Sequence, residues 1–361
     1  MRHLIHARPF LLAITAASLA LAGCKPPDPT APSQPESATL DPSGIIIPIS
    51  LPHSGLETTS KISLCVADAA DPHQRVQINL LTDALRAASG YELAYADAKG
   101  SSATQVTQLR AIAATKPKAV MVLPVDAAAV KEEIANLREA NVLVIGLDAS
   151  LNDGTCDTVV FCDQKKIGSM AGELIVNALK RKAQDSGSTE ITGRVVQIQG
   201  DEKKPASRAR SDGFQAALKT QPGIVLVHDT PVLKMDKTDA ALRFNEALKL
   251  QSSIDAVYAH NDMLALGVSS ASVESKVRES LLIVGTDGVA GPGAGLEMIR
   301  KGQLDASIHQ PLLVDFAWRI IEKMSQDTTF KPKPSYEIEP VAFTPKNLDE
   351  LQASGLPVPS F

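Results

Sequence analysis

From Lys61 onward, short β-branched runs alternate with stretches of helical period, and this alternation constrains the fold more than any other feature. A parallel strand needs a crossover long enough for a helix, and the strand is then buried on both faces, so it reads as an apolar run. The pattern predicts strands at Ile62–Ala67, Tyr91–Ala96, Ala119–Leu123, Val142–Leu147 and Thr158–Phe161. A second set is expected at Arg194–Gln199, Ile224–His228, Ile254–Tyr258, Leu281–Val284 and Ala306–Ile308. Helices are expected near Val76–Ser89, Thr104–Ala114, Ala127–Ala140, Lys165–Lys182, Ser207–Lys219, Thr238–Leu250 and Pro311–Met324, the last with Trp318 in its core-facing side. The loop between the first strand and helix reads A-D-P-H-Q-R, and the closing Y-E-I-E-P-V-A-F-T-P alternates like one edge strand guarded by prolines. Two series of this kind over roughly 300 residues exceed the size of a single growing core. The fold class is therefore α/β, with two Rossmann-like lobes and a cleft between them, a default place for a ligand.

What precedes this region is of another kind. Arg2, His3, His6 and Arg8 form a basic lead, Phe10–Ala22 is an apolar run too short for an ordinary membrane span, and Leu21-Ala22-Gly23-Cys24 closes it. The tetrapeptide resembles the bacterial lipobox, which implies residues 1–24 as a lipoprotein signal peptide and Cys24 as the lipid attachment site. Lys25 departs from the aspartate that usually retains lipoproteins at the inner membrane. Residues 25–59 begin K-P-P-D-P-T-A-P-S-Q-P-E-S, a composition that cannot bury enough apolar surface to offset its ordering entropy, and they are expected to form a flexible tether. Within them Ile45–Ile49 is an apolar island suited to a short pairing or docking contact.

Composition narrows the function. The net charge is −5, and no basic stripe alternates with aromatics, which argues against nucleic acid. Cys65, Cys156 and Cys162 are an odd set. An extended strand between Cys156 and Cys162 would hold them roughly 20 Å apart, too far for a bridge, so all three are expected to be reduced. No metal-ligand spacing occurs, and no G-x-S-x-G elbow, H-E-x-x-H or phosphate loop. Gly291-Pro-Gly293-Ala-Gly295 lacks the spacing of a dinucleotide fingerprint. The chain reads as a binding protein without cofactor, not an enzyme.

Polar residues stand at the strand ends. In I-D-A-V-Y-A-H-N-D-M-L-A-L-G the strand stops at His260-Asn261-Asp262, with Asp262 as the expected helix cap and Asn261 at the strand's carboxyl end. Asp71, Asp148, Asp163, Asp287 and Gln310 close other strands, and Arg208 opens a helix. Carboxylates that only accept and a guanidinium that only donates suit a ligand rich in hydroxyl groups.

The segments V-I-G-L-D, S-R-A-R-S-D-G-F, A-V-Y-A-H-N-D-M-L-A-L-G, I-V-G-T-D-G and L-D-A-S-I-H-Q resemble, in order and spacing, the sugar-binding, ribose-binding-protein-like family of type I periplasmic solute-binding proteins of ABC importers. The resemblance runs from about Lys61 to Ala342. It implies a three-crossing hinge near Asp163–Lys165, Ile308–Pro311 and Val341–Phe343, a first lobe of residues 60–163 plus 311–341 and a second of 164–310 plus 342–361. It also implies a ligand site of Asp71, His73, Gln74, Asp148, Arg208, Asn261, Asp287 and Gln310. The implied protein is a periplasmic, lipid-anchored monomer that hands a carbohydrate-like solute to an ABC permease; the alternative is a sensor partnering a chemoreceptor or membrane kinase. Departures from the family are marked: His73 and Gln74 stand where aromatics are usual, Ala149 replaces an arginine, Leu123 an asparagine and Thr286 an aromatic, and Met235 lies near another aromatic position.

Overall fold

The computed structural model describes residues 48–49, 60–88 and 90–354. The leader with Cys24, and most of the tether, lie outside the described residues. Strands and helices alternate as β1 (Pro48–Ile49), β2 (Ser60–Val66), α1 (Pro72–Ala87), β3 (Tyr91–Asp97), α2 (Ser102–Ala114), β4 (Ala119–Val122), α3 (Ala127–Glu139), β5 (Leu143–Gly146) and β6 (Thr158–Phe161). They continue with α4 (Gln164–Asp185), β7 (Gly193–Gln199), α5 (Pro205–Leu218), β8 (Ile224–Pro231), α6 (Lys237–Leu250), β9 (Ala256–Ala259), α7 (Asp262–Glu274) and β10 (Leu282–Asp287). Last come α8 (Gly295–Arg300), β11 (Ala306–His309), α9 (Leu313–Gln326), β12 (Ser335–Glu337), β13 (Val341–Phe343) and α10 (Leu348–Ser354).

Two sheets result. The first has the order β1-β3-β2-β4-β5-β6-β12 and the second β13-β11-β10-β9-β7-β8. Within each, pairing is parallel except at one edge, where β1 runs antiparallel to β3 and β13 antiparallel to β11. The chain changes sheet three times: between β6 and β7, between β11 and β12, and between β12 and β13.

Two differences from expectation matter. Helix α1 starts at Pro72, not near Val76, because Asp71 accepts the Gln74 N–H and Pro72 fits the first helical position, so His73 and Gln74 lie in a helical turn and not a loop. The closing segment is not one edge strand: Ser335–Glu337 pairs with β6 of the first sheet, and Val341–Phe343 with β11 of the second. The last change of sheet thus falls at 338–340, just before the expected place. The apolar island, in turn, contributes Pro48–Ile49 to the edge of the first sheet.

The apolar residues form three cores. Leu109, Val120, Ile134 and Val144 fill one face of the first sheet against α2 and α3. Phe244, Val257, Val268 and Ile283 fill one face of the second against α6 and α7. The third core joins the opposite faces of both sheets, from Leu64 and Ile320 through Val160, Ile167 and Ile308 to Phe214 and Tyr258. Trp318 packs there edge-on to Tyr91, with ring centroids 4.9 Å apart. Cys65, Cys156 and Cys162 are buried free thiols, each pushed up to about 12 chiefly by burial.

Helices α4 and α5 touch backbone to backbone. A Cβ on Gly213 would stand 1.9 Å from the Lys165 carbonyl oxygen, and one on Gly168 1.9 Å from that of Arg210. Replacing Gly213 with alanine should destabilise the protein by about 1–3 kcal/mol or more, because the helices must part to admit the methyl group. Urea unfolding of Gly213→Ala checks this; an unchanged midpoint would mean the crossing has slack.

Candidate functional site

Strands that run parallel end on the same side of their sheet, so their carboxyl ends collect the polar residues that follow them. In the second sheet these are His260 and Asn261 after β9, Asp287 at the end of β10 and Gln310 after β11. Arg210, on the second turn of α5, reaches among them. Its Nε donates to Gln164 Oε1 at 2.8 Å, one terminal nitrogen donates to the His260 carbonyl and the other to Gln310 Oε1. A planar guanidinium is suited to this, since its fork fixes several acceptors at once.

Gln310 binds on two further sides. Its N–H donates to the Asp287 carbonyl at 3.0 Å. Its own carbonyl lies 3.1 Å from His73 Nε2, and because a carbonyl only accepts, that nitrogen carries the proton. Gln77, one turn further along α1, approaches His73 Nδ1 at 3.5 Å and accepts from the Val314 N–H at 3.2 Å. Through these bonds α1 of the first sheet holds the segment that leads from β11 to α9. Burial pushes His73 down to about 4, opposed by Asp71 and by the bond to Gln310.

Carboxylates face this group. Asp287 is buried at φ 112, outside the conformations an L residue favours. Burial first, then the neighbouring charge of Asp262, holds its carboxyl well above the usual range, while Arg210 pulls it back and Asp71 adds to the rise. Asp262, raised to about 7 by burial, accepts the Gly288 N–H at 2.8 Å and the Ser307 hydroxyl at 2.6 Å. The cap of α7 is not Asp262 but Asn261: Asn261 keeps extended backbone angles, and its Oδ1 accepts the Leu264 N–H at 2.8 Å. That leaves the Asn261 amide NH2 as a donor.

His260 belongs to a layer beneath. Its Nε2 lies 2.7 Å from the Gln197 amide nitrogen and its Nδ1 3.1 Å from the Ser207 hydroxyl. Burial, reinforced by Arg210, holds it well below its ordinary range, so it is neutral.

The structure thus gathers His73, Asp287 and Gln310 about Arg210, with Asn261 next to the His260 carbonyl that Arg210 binds and Asp71 capping α1 ahead of His73. Gln74, Asp148 and Arg208 make other bonds. Gln74 Oε1 accepts the Asp68 N–H at 3.0 Å. Asp148 turns back on Ser150, whose N–H it accepts at 2.8 Å to cap a short 3₁₀ turn. Arg208 is exposed and donates to the Glu202 and Lys203 carbonyls of its own loop. Two residues are about 200° on a helix, so within S-R-A-R-S-D-G-F only one arginine can face the strand ends, and it is Arg210. Gln164 and Asp262 were not marked as site residues by sequence either, Asp262 looking there like a cap, whereas His260 stood at a strand end near the expected cleft.

Acid titration tests the placement of His73. Between its ordinary value of 6.5 and about 4 the unfolded chain binds a proton that the folded chain refuses. Stability contributed by neutral His73 is therefore complete above pH ~6.5 and is lost as the pH falls through this window, by on the order of 3 kcal/mol. His73→Gln should lose less stability than the parent between pH 6.5 and 4. Parallel slopes in urea unfolding across that range would place His73 in contact with water.

Comparison with known proteins agrees with this architecture. Residues 62–313 match the family described as periplasmic binding protein domain. The ribose import binding protein of Salmonella typhimurium is 26% identical over 221 residues, spanning 61% of this chain and 69% of that protein. Among solved structures, an ABC transporter periplasmic solute binding protein from Actinobacillus succinogenes with bound D-allose superposes with a TM-score of 0.69 at 18% identity, over 81% of this chain and all of that one. The fructose binding periplasmic domain of a hybrid two component system gives 0.68 at 19% identity, over 82% and 94%. With two helix-covered parallel sheets crossed three times by the chain, and a family match over most of its length, this chain belongs to the periplasmic binding proteins.

Proposed function

We propose that this chain is the extracytoplasmic substrate-binding lipoprotein of an ABC importer, and that it captures a sugar or sugar-like polyhydroxy solute and delivers it to a membrane permease. The observation that carries this reading is the arrangement at the strand ends: one guanidinium and several carboxyl and amide groups converge where the chain changes sheet. Such groups exchange hydrogen bonds with hydroxyls, and a solute bridging both lobes would hold them closed about the crossings. No bond of the solute is made or broken. The ribose import relative supports the solute class, and the lack of aromatics at His73, Gln74 and Thr286 supports a ligand held by hydrogen bonds more than by ring stacking.

In this reading Asp71, His73, Gln74, Asp148, Arg208, Asn261, Asp287 and Gln310 are the proposed ligand site, with Arg210 as the arginine the geometry favours. The lobes would be residues 60–163 plus 311–341 and 164–310 plus 342–361, with the tether at 25–59. The protein would act as a monomer in the periplasm, anchored by lipid on Cys24. The leader supports the anchor, and Cys24→Ser should move the protein from the detergent to the aqueous phase in a Triton X-114 partition. Retention in the detergent phase would sink the lipoprotein assignment.

A thermal-shift panel of pentoses, hexoses, inositols, polyols, nucleosides and amino acids tests the solute class. A ligand at a hundred times its dissociation constant adds about 2.7 kcal/mol of stability, a clear rise in Tm. The expected hit is a sugar or polyol; a hit only among nucleosides or amino acids would overturn the assignment. With that hit in hand, Arg210→Ala should weaken binding by about 1.5–3 kcal/mol, and Arg208→Ala by much less. Equal losses in calorimetry would give both arginines the same weight in holding the solute.

A further inference from the structure

Asp287 is held in a backbone conformation that needs support from outside its own strand. At φ 112 its backbone is strained, and such residues persist only where the surroundings fix them. The peptide that follows it is fixed by one side chain: the Gly288 N–H donates to Asp262 Oδ2 at 2.8 Å. Asp262 is itself fixed, because its Oδ1 accepts the Ser307 hydroxyl at 2.6 Å. A carboxylate in the first turn of a helix ordinarily points to water. Here it turns inward and is buried, in space left by two glycines: a Cβ on Gly295 would stand 1.9 Å from its Oδ2, and one on Gly285 2.2 Å from its Oδ1. Cap chemistry does not explain this, since Asn261 already caps α7.

We propose that Asp262 is a positioning residue, which acts through Asp287 by locking the Asp287–Gly288 turn and by setting the charge of the Asp287 carboxyl, and so governs how tightly the solute is held. This rests on the reading that Asp287 touches the solute. The charge of Asp262 is the second cause, after burial, of the rise at Asp287, and Asp262 itself sits near neutrality. Arg210 from α5 and Asp71 from the start of α1 also act on Asp287. Tyr258 from β9, which carries a raised hydroxyl, and His309 from β11, which donates to the Gly288 carbonyl at 3.0 Å, complete the ionisable groups around the pair.

The test uses the full chain, aspartate-labelled with carbon-13 at the carboxyl, and follows each carboxyl by NMR across pH, with Asp287→Ala for assignment. In Asp262→Asn the size is kept and the charge removed, so Asp287 should titrate lower than in the parent. D-ribose, used as probe, should bind at least tenfold more weakly, with its pH profile displaced. Ser307→Ala takes one bond from Asp262 and should move both readouts the same way by less; it decides the matter where Asp262→Asn fails to fold. An Asp287 titration unmoved in a folded Asp262→Asn protein overturns the proposal, as does unchanged D-ribose affinity in both variants. If D-ribose does not bind the parent, the ribose-like solute is at fault, and the titration alone decides the role of Asp262.

Discussion

A half-buried guanidinium must find acceptors, and Arg210 finds them on three separate stretches of chain. Gln164 stands where the chain first leaves the first sheet, His260 ends a strand of the second, and Gln310 stands where the chain goes back. Removing such a group would strand three buried or half-buried acceptors at once, which costs more than the bonds themselves contribute. The same arginine acts on several perturbed groups of the site: it lowers His260 and Asp262 and restrains Asp287. Fold and site are therefore not separable here. The close crossing of α4 and α5, which Gly168 and Gly213 permit, is what carries Arg210 and Gln164 to one another.

The ionisable groups oppose one another with pH. His73 is held neutral, so it favours the fold increasingly as the pH rises through 4 to 6.5. Asp262 is held protonated up to about 7, so the stability it contributes is present in acid and lost as the pH rises from the ordinary carboxylate range toward that value. These slopes have opposite sign over the same interval, which flattens the combined dependence of the fold on pH and hides each contribution unless one group is removed.

How much of this was legible depended on the kind of signal. Apolar runs such as Ala119–Val122 and Thr158–Phe161 are unambiguous, because a strand buried on both faces has little choice of residue. The start of α1 was misplaced because Asp71-Pro72 reads equally as a turn and as a cap with proline behind it. The closing segment was misread because residues 335–343 alternate throughout, and alternation carries no mark of which sheet a strand joins. At the site, strand-end positions pointed to Asp287, Asn261 and Gln310 because topology alone puts them there. Arg210 and Asp262 escaped for a different reason. Choosing between Arg208 and Arg210 requires the rotation of α5 about its axis, and seeing that Asp262 turns inward requires the two glycines that make room for it, which lie far off in sequence.

The exchange of strands at the end of the chain bears on how the protein is made. Neither sheet is complete until residues 335–343 have been synthesised, because β12 closes the edge of one and β13 the edge of the other. An emerging chain therefore exposes unpaired edges on β6 and β11 until residues 335–343 appear. Late closure leaves both edges open to pairing with other strands until the end of folding, so the completion of the two sheets is a single late event.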